Sequence, residues 1–252
     1  MESNVRGAIT GKILRVNLGK MKAWVEDTHK YGKDFLGGRT LASYILLTEM
    51  SSDTTWSDPG SMIIFSPGIL DGTAIPGASR TSVDGVNVFN NGKGSSNFGG
   101  NFGPALKLAG YDMLIITGQA EKPVYLWIHE GGIEFKDASA VWGKKTLEVD
   151  RILRQELQDE KIEIACIGPA GENIVKSACI IGNCGKAAGG SGLGCILGQK
   201  RLKAIAVHGK KSVALASSPK EFRGVLDRVL SKISNHPPTK VWQEGTLVEA
   251  VE

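Results

Sequence analysis

Several things are scarce in this 252-residue chain. No apolar run approaches the ~18 residues that a membrane-spanning helix needs. The first twenty residues contain no apolar signal core, so the expected location is the cytoplasm and no membrane partner is implied. Only four cysteines occur, Cys166, Cys179, Cys184 and Cys195, and none forms a Cys-x-x-Cys pair. That argues against a zinc or iron–sulfur site within the chain and suits a reducing compartment. The four histidines are scattered without ligand spacing. No Gly-Lys-Ser/Thr stands at the spacing of a phosphate-binding Walker loop. A dinucleotide fingerprint begun at Gly190 or Gly192 fails, because its third glycine falls on Cys195 or Leu197. No Ser/His/Asp or paired-carboxylate constellation is present. The net charge of +4 is mild and forms no basic stripe, so nucleic acid is not an expected partner.

Glycine is abundant instead, at 33 residues, nearly twice the usual share. Backbone therefore turns sharply or approaches something closely many times. Hydrophobic residues at 41% and charged residues at 22% place the chain among ordinary globular proteins. Short apolar or alternating stretches at 11–18, 62–66, 81–89, 113–117, 124–129, 133–136, 162–166, 177–181 and 204–208 predict strands. Helical spacing predicts helices at 40–50 and 146–157, the latter with Val149, Ile152, Leu153 and Leu157 on one stripe. These elements do not alternate as in a doubly wound sheet, and the expected class is α+β.

The end of the chain reads differently. Ser218-Pro219-Lys220-Glu221 is a helix start, with Ser as N-cap, Pro at the first helical position and Glu three residues after the cap. Phe222, Val225, Leu226, Val229, Leu230 and Ile233 form an apolar stripe, and Asn235-His236-Pro237-Pro238 ends it. Residues 1–211 are expected to be one domain, and 212–252 a linker and the first helix of another.

Two segments repeat at a spacing of 91 residues, set by Gly103 against Gly194 and by Gly118 against Gly209. Each runs from a glycine-rich loop through a short helix to a strand and a closing glycine. A duplicated loop suggests a ligand with two similar halves; the plainer reading is a duplicated scaffold whose glycines only make turns. Segments 94–100 and 184–192 resemble loops that aim several backbone N–H groups at one point, an arrangement that suits phosphate. Lys186 is a candidate countercharge. Arg80, at a loop-to-strand corner, is a candidate anion clamp, and equally an ordinary surface arginine.

The motifs Gly37-Gly38-Arg39-Thr40-Leu41-Ala42, Gly77-Ala78-Ser79-Arg80, the run from Ser96-Asn97-Phe98-Gly99-Gly100 to Gly110-Tyr111-Asp112, Ile167-Gly168-Pro169-Ala170-Gly171-Glu172-Asn173 and Leu202-Lys203-Ala204-Ile205-Ala206-Val207 occur in one order. Together they resemble the N-terminal domain of the tungsten-containing aldehyde:ferredoxin oxidoreductases. The resemblance implies two β-sheets built from two repeats. It implies a tungsten, less often molybdenum, ion held by two pyranopterins, with no protein ligand to the metal; the cofactor then carries the chemistry. Carried over by position, Arg80 lies between the pterins, and backbone oxygens of Asn97 and Ala187 hold a magnesium that bridges two phosphates. Gly99, Gly100 and Gly189 let backbone approach the cofactor, alongside Lys186 and Ala188. The implied activity is oxidation of an aldehyde to a carboxylate with ferredoxin as acceptor. The remaining domains, or a partner subunit, would carry a [4Fe–4S] cluster and the substrate pocket, and a homo-oligomer is compatible. Where the family reads Arg-Ala-Ala-Gly-Arg, this chain has Lys186-Ala187-Ala188-Gly189-Gly190. That departure leaves open a scaffold or assembly subunit that has lost the cofactor.

Overall fold

In the computed structural model, which describes residues 7–31, 34–130, 132–183, 185–215 and 217–239, one order of elements occurs twice, the second time with one extra short helix. The first run is β1 (Lys12–Asn17), β2 (Lys22–Asp27), α1 (Gly38–Glu49), β3 (Ile63–Pro67), β4 (Thr81–Val86), β5 (Lys93–Phe98), α2 (Phe102–Leu108) and β6 (Met113–Thr117). The second is β7 (Val124–His129), β8 (Gly132–Asp137), α3 (Thr146–Leu157), β9 (Glu163–Cys166), α4 (Pro169–Glu172), β10 (Ile180–Gly182), β11 (Lys186–Ala188), α5 (Leu193–Gln199) and β12 (Leu202–Val207). Each run forms one six-stranded sheet, ordered β2-β1-β6-β3-β4-β5 and β11-β10-β9-β12-β7-β8. Read from opposite ends, the two orders are the same. In each, one pair is parallel, β1 with β6 and β7 with β12. The expected α+β class and duplication hold, and the repeat covers a whole sheet rather than its last helix and strand.

Alternation along the strands assigns every layer. In β6, Leu114 and Ile116 point into a core shared by both sheets, whereas Met113 and Ile115 pack under α1. In β12, Ile205 and Val207 enter the shared core, and Ala204 and Ala206 pack under α3. Such strands are apolar at consecutive positions because both faces are covered. Residues of α2 and α5 join the shared core, while α1 and α3 cover the outer faces.

The structure adds three strands that the pattern did not predict. β2 is an edge strand with only half-buried and exposed residues, so it lacks an apolar signature. β5 and β11 are short and rich in small residues. The stretch predicted as a strand over 81–89 ends at Val86, where Asn87 begins the turn to β5.

Beyond the second sheet, α6 (Pro219–Ser234) starts as its sequence predicts. The Ser218 hydroxyl accepts from the Glu221 N–H at 3.3 Å, and the Glu221 carboxylate accepts from the Ser218 N–H at 2.9 Å. No α6 side chain is buried, and Val225, Leu230 and Ile233 are each more than 40% exposed. Among the described residues, no helix is long and apolar enough to cross a membrane.

Candidate functional site

The edge hairpins of the two sheets, β4–β5 and β10–β11, meet along their outer strands. The Ser96 hydroxyl of β5 donates to the Gly189 carbonyl at 2.7 Å, and the Ser191 hydroxyl donates to the Ser95 carbonyl at 3.3 Å. The two glycine-rich stretches, 93 residues apart at Ser96 and Gly189, are thus side by side. They are not loops throughout. Asn97 lies in β5, and Lys186, Ala187 and Ala188 form β11; the turns proper begin at Gly99 and Gly189. Small residues that look loop-like in sequence form strands here because hairpin partners supply their backbone hydrogen bonds. Cys184 lies outside the described residues.

Hairpin register places the charged group. Thr81 pairs with Phe98, so Arg80, one step earlier, stands opposite Gly99, one step later. A Cβ built on Gly99 would meet only the Arg80 guanidinium, at 3.9 Å. Arg80 is exposed, and its guanidinium has no hydrogen-bonding or ionic partner among the described residues. In the second copy Ile180 pairs with Ala188, which sets Cys179 opposite Gly189. A Cβ on Gly189 would lie 2.9 Å from the Cys179 sulfur. The duplication therefore presents a guanidinium in one copy and a thiol in the other.

The glycines divide by what stands beside them. Gly99 and Gly190 border open space, so only solvent or a ligand fills the place of a side chain. Gly100 instead packs against Asn183, whose Oδ1 would lie 2.6 Å from an added Cβ. Of the other predicted residues, Ala187 and Lys186 are exposed on β11, Asn97 is half-buried, and Ala188 is fully buried in the shared core.

Beside Arg80 lies an open hollow of about 310 Å³, lined by Gly68, Ile69, Leu70, Asp71, Ile75, Pro76, Gly77, Ala78 and Arg80. Asp71 is the member that sequence reasoning missed; Asp-Gly reads locally as an ordinary turn. Its side chain is 1% exposed and its Oδ2 has no hydrogen-bond partner. Burial pushes its carboxyl up to about 6, against the opposing pull of the Gly68 backbone, the Lys107 charge and the Arg80 backbone. A carboxyl raised in the folded state stabilises the fold fully below its unfolded value of 3.8. That contribution is lost as pH rises through about 6. Asp71→Asn is therefore expected to stabilise the chain at pH 7.5 by ~2–3 kcal/mol, with the gain shrinking towards pH 4. Melting temperatures of both proteins across that range check this, and a gain that does not shrink refutes it.

The residues present suit a doubly anchored anionic ligand: an unpartnered guanidinium, two glycines on open space, and two cradles within one hydrogen bond of each other. Among the described residues, no group of three or more His, Cys, Asp or Glu side chains is placed to hold a metal ion. Cys166 and Cys195 are buried in the cores, as their apolar surroundings in the sequence predict.

Comparison with known proteins fits this geometry. The family described as aldehyde ferredoxin oxidoreductase, N-terminal domain, matches residues 13–209. The tungsten-containing aldehyde ferredoxin oxidoreductase of Pyrococcus furiosus is 42% identical over 228 residues, which is 90% of this chain and 38% of that protein. Its counterpart in Thermococcus kodakarensis is 41% identical over the same shares. The WOR-like subunit of an aliphatic sulfonate oxidoreductase from Pyrococcus furiosus is 32% identical over 94% of this chain and 40% of that one. Among solved structures, a chain of the active-site complex BamBC of benzoyl coenzyme A reductase, in complex with 1,5-dienoyl-CoA, superposes with a TM-score of 0.87. It is 34% identical and covers 91% of this chain and 35% of its own. The chain thus spans about two-fifths of the length of the curated relatives.

Proposed function

Because the chain belongs to the aldehyde ferredoxin oxidoreductase family, whose N-terminal domain it matches over residues 13–209, we propose that it is the cofactor-binding portion of a tungsten or molybdenum bis-pyranopterin oxidoreductase. The reaction is oxidation of an aldehyde to a carboxylate, with electrons passed to ferredoxin. A [4Fe–4S] cluster and the substrate pocket belong to further domains or to a partner subunit, and α6 opens the next domain. When bound, the cofactor supplies the two-electron redox centre. This chain's residues bind and orient it. The Arg80 guanidinium would hydrogen-bond the pterin rings or phosphates, and its fork geometry suits bidentate contact with their oxygens. The Asn97 and Ala187 carbonyls would hold a magnesium ion, and Gly99, Gly100 and Gly189 would let backbone approach the cofactor, with Asn183 beside Gly100 and the Cys179 sulfur beside Gly189. Lys186 supplies a positive charge at the second cradle.

The observation that carries this reading is the unpartnered Arg80 beside two adjoining cradles, in a chain 42% identical to tungsten enzymes. The scaffold alternative draws on Lys186 and Gly190, which stand where the family has arginines. Metal analysis of the assembled holoprotein separates the two. Tungsten or molybdenum near one per chain is expected, and at least a fivefold lower content in Arg80→Ala, since a lost charge-assisted pair costs ~1.5–3 kcal/mol. An unchanged metal content in Arg80→Ala removes Arg80 from the site, and a metal-free assembled complex establishes the scaffold.

A further inference from the structure

The turn that leads from β5 to α2 is gripped by the other repeat. Phe98 closes β5, and its ring packs on the Cα of Gly182, where an added Cβ would overlap the ring. Two residues on, Gly100 packs against Asn183, whose Cγ would lie 2.8 Å from an added Cβ. Gly99, the open position across the hairpin from Arg80, lies between these two contacts. Gly182 and Asn183, at the end of β10, therefore hold the first cradle's turn on both sides.

Asn183 is itself held from β9. Its N–H donates to the Ile164 carbonyl at 3.2 Å, and its Nδ2 donates to the Glu163 carboxylate. Its backbone stands in the left-handed region, at a φ of +48°. Its Oδ1 is buried beside Gly100 with no hydrogen-bond partner. A buried oxygen without a donor is unfavourable, so the amide takes this orientation because its nitrogen is anchored, and Glu163 is the anchor. An ionised carboxylate only accepts, which fixes the end of the amide that faces it. Burial pushes the Glu163 carboxyl up, and hydrogen bonds from the Asn101 and Asn183 side chains pull against that rise. The other charges that face it, Arg154 and Asp150 of α3, are paired with each other at 2.7 Å.

We propose that Glu163 is a positioning residue for the candidate site: from the second repeat, and through Asn183, it fixes the Gly99–Gly100 turn of the first cradle. Its effect passes through one amide to one glycine. The Ser96 and Ser191 hydroxyls join the two hairpins along their strands; Glu163 extends that join past the strand ends, where the open glycine lies. A turn that is already ordered loses less entropy when a ligand seats on it.

This inference rests on the cofactor reading above, since the ligand served by the turn is the one proposed there. Nitrogen-15 relaxation of the 252-residue chain needs no cofactor. The Gly99 and Gly100 amides are expected to show order parameters of about 0.85 in the parent and below about 0.6 in Glu163→Ala and in Asn183→Ala, with β6 and β12 unchanged. Glu163→Gln, whose side-chain carbonyl still accepts from Asn183, is expected to keep the parent values. The double variant Glu163→Ala/Asn183→Ala is expected to match either single variant, because both cut the same path. In the assembled holoprotein, tungsten or molybdenum content is expected to fall about threefold in Glu163→Ala and to recover in Glu163→Gln. Asn183→Ala removes the same contact from its other end and carries the test where Glu163→Ala does not fold. Rigid Gly99 and Gly100 in the alanine variants, or a double variant looser than both single ones, overturns the inference. A loosened turn with full metal content also overturns it and leaves the cofactor reading standing. An assembled parent without metal overturns both.

Discussion

Gly198→Ala is expected to lose ~3–5 kcal/mol of stability, at the far end of what one methyl group does. Intrinsic propensity argues the other way, since alanine in a helix interior gains ~1 kcal/mol over glycine. Contact decides. Gly198 lies in α5 with its Cα against α4, where a Cβ would stand 2.6 Å from the carbonyl carbon of Gly171 and overlap the carbonyl oxygen. Two further glycines line the same seam. A Cβ on Gly171 would stand 2.9 Å from the Gly194 carbonyl oxygen, and one on Gly194 would stand 2.6 Å from the Cys179 carbonyl oxygen. Backbone cannot yield as a flexible side chain does, so α5 must shift and open the shared core, which Leu193, Ile196 and Leu197 help to fill. Urea denaturation measures the loss. Gly60→Ala is the control, since nothing lies within 4 Å of that position and its φ is ordinary. A Gly198→Ala protein within 1 kcal/mol of the parent would show that α4 and α5 do not depend on backbone contact.

The second large effect concerns a buried ion pair. Lys203 of β12 and Glu172 of α4 are 0% and 4% exposed, and the ammonium is bonded to the Glu172 carboxylate. Lys203 also donates to the Lys144 carbonyl at 2.9 Å, and Glu172 accepts from the Gly143 N–H at 2.8 Å. Lys203→Met leaves a buried carboxylate with a single amide donor. The expected loss is ~3–5 kcal/mol, because an uncompensated buried charge is far costlier than an absent pair. Adding Glu172→Gln removes the charge and should recover most of that loss, so the double-mutant cycle returns a large coupling energy. A double variant as unstable as the sum of the two single variants would show that the pair contributes no mutual stabilisation. Neither residue touches the candidate cofactor site, so the result bears on how the second repeat is held rather than on the chemistry.

Several roles were visible locally in the residues. The capping box at Ser218 and Glu221, the stripe of α3 and the consecutive apolar residues of β6 depend on neighbours within a few positions, and each element formed where its pattern placed it. The duplication was visible in part, through two glycine spacings. The two glycine-rich segments, Lys186 and Arg80 were visible as candidates in the residues, each beside a plainer reading, and only the family resemblance chose between them. Arg80 has no local mark that separates it from any surface arginine; its distinction is an unpartnered guanidinium across a hairpin from Gly99. His208 likewise reads as a strand-end surface residue, yet its side chain is 14% exposed and its ring is bonded to the Asp159 carboxylate.

The excess of glycine best separates what the chain dictates from what folding decides. The sequence alone determined the α+β class and the internal repeat, since those follow from composition, short-range periodicity and spacing. It could not tell which glycines face a ligand and which face backbone. Gly99 and Gly198 are chemically identical, and a missing side chain has no meaning until its surroundings are known. Only the tertiary structure set Gly99 on open space beside Arg80, Gly198 against the backbone of Gly171, and Asp71 under the hollow. Those neighbours come from other segments of the same repeat, brought together by hairpin pairing and by the packing of α4 against α5.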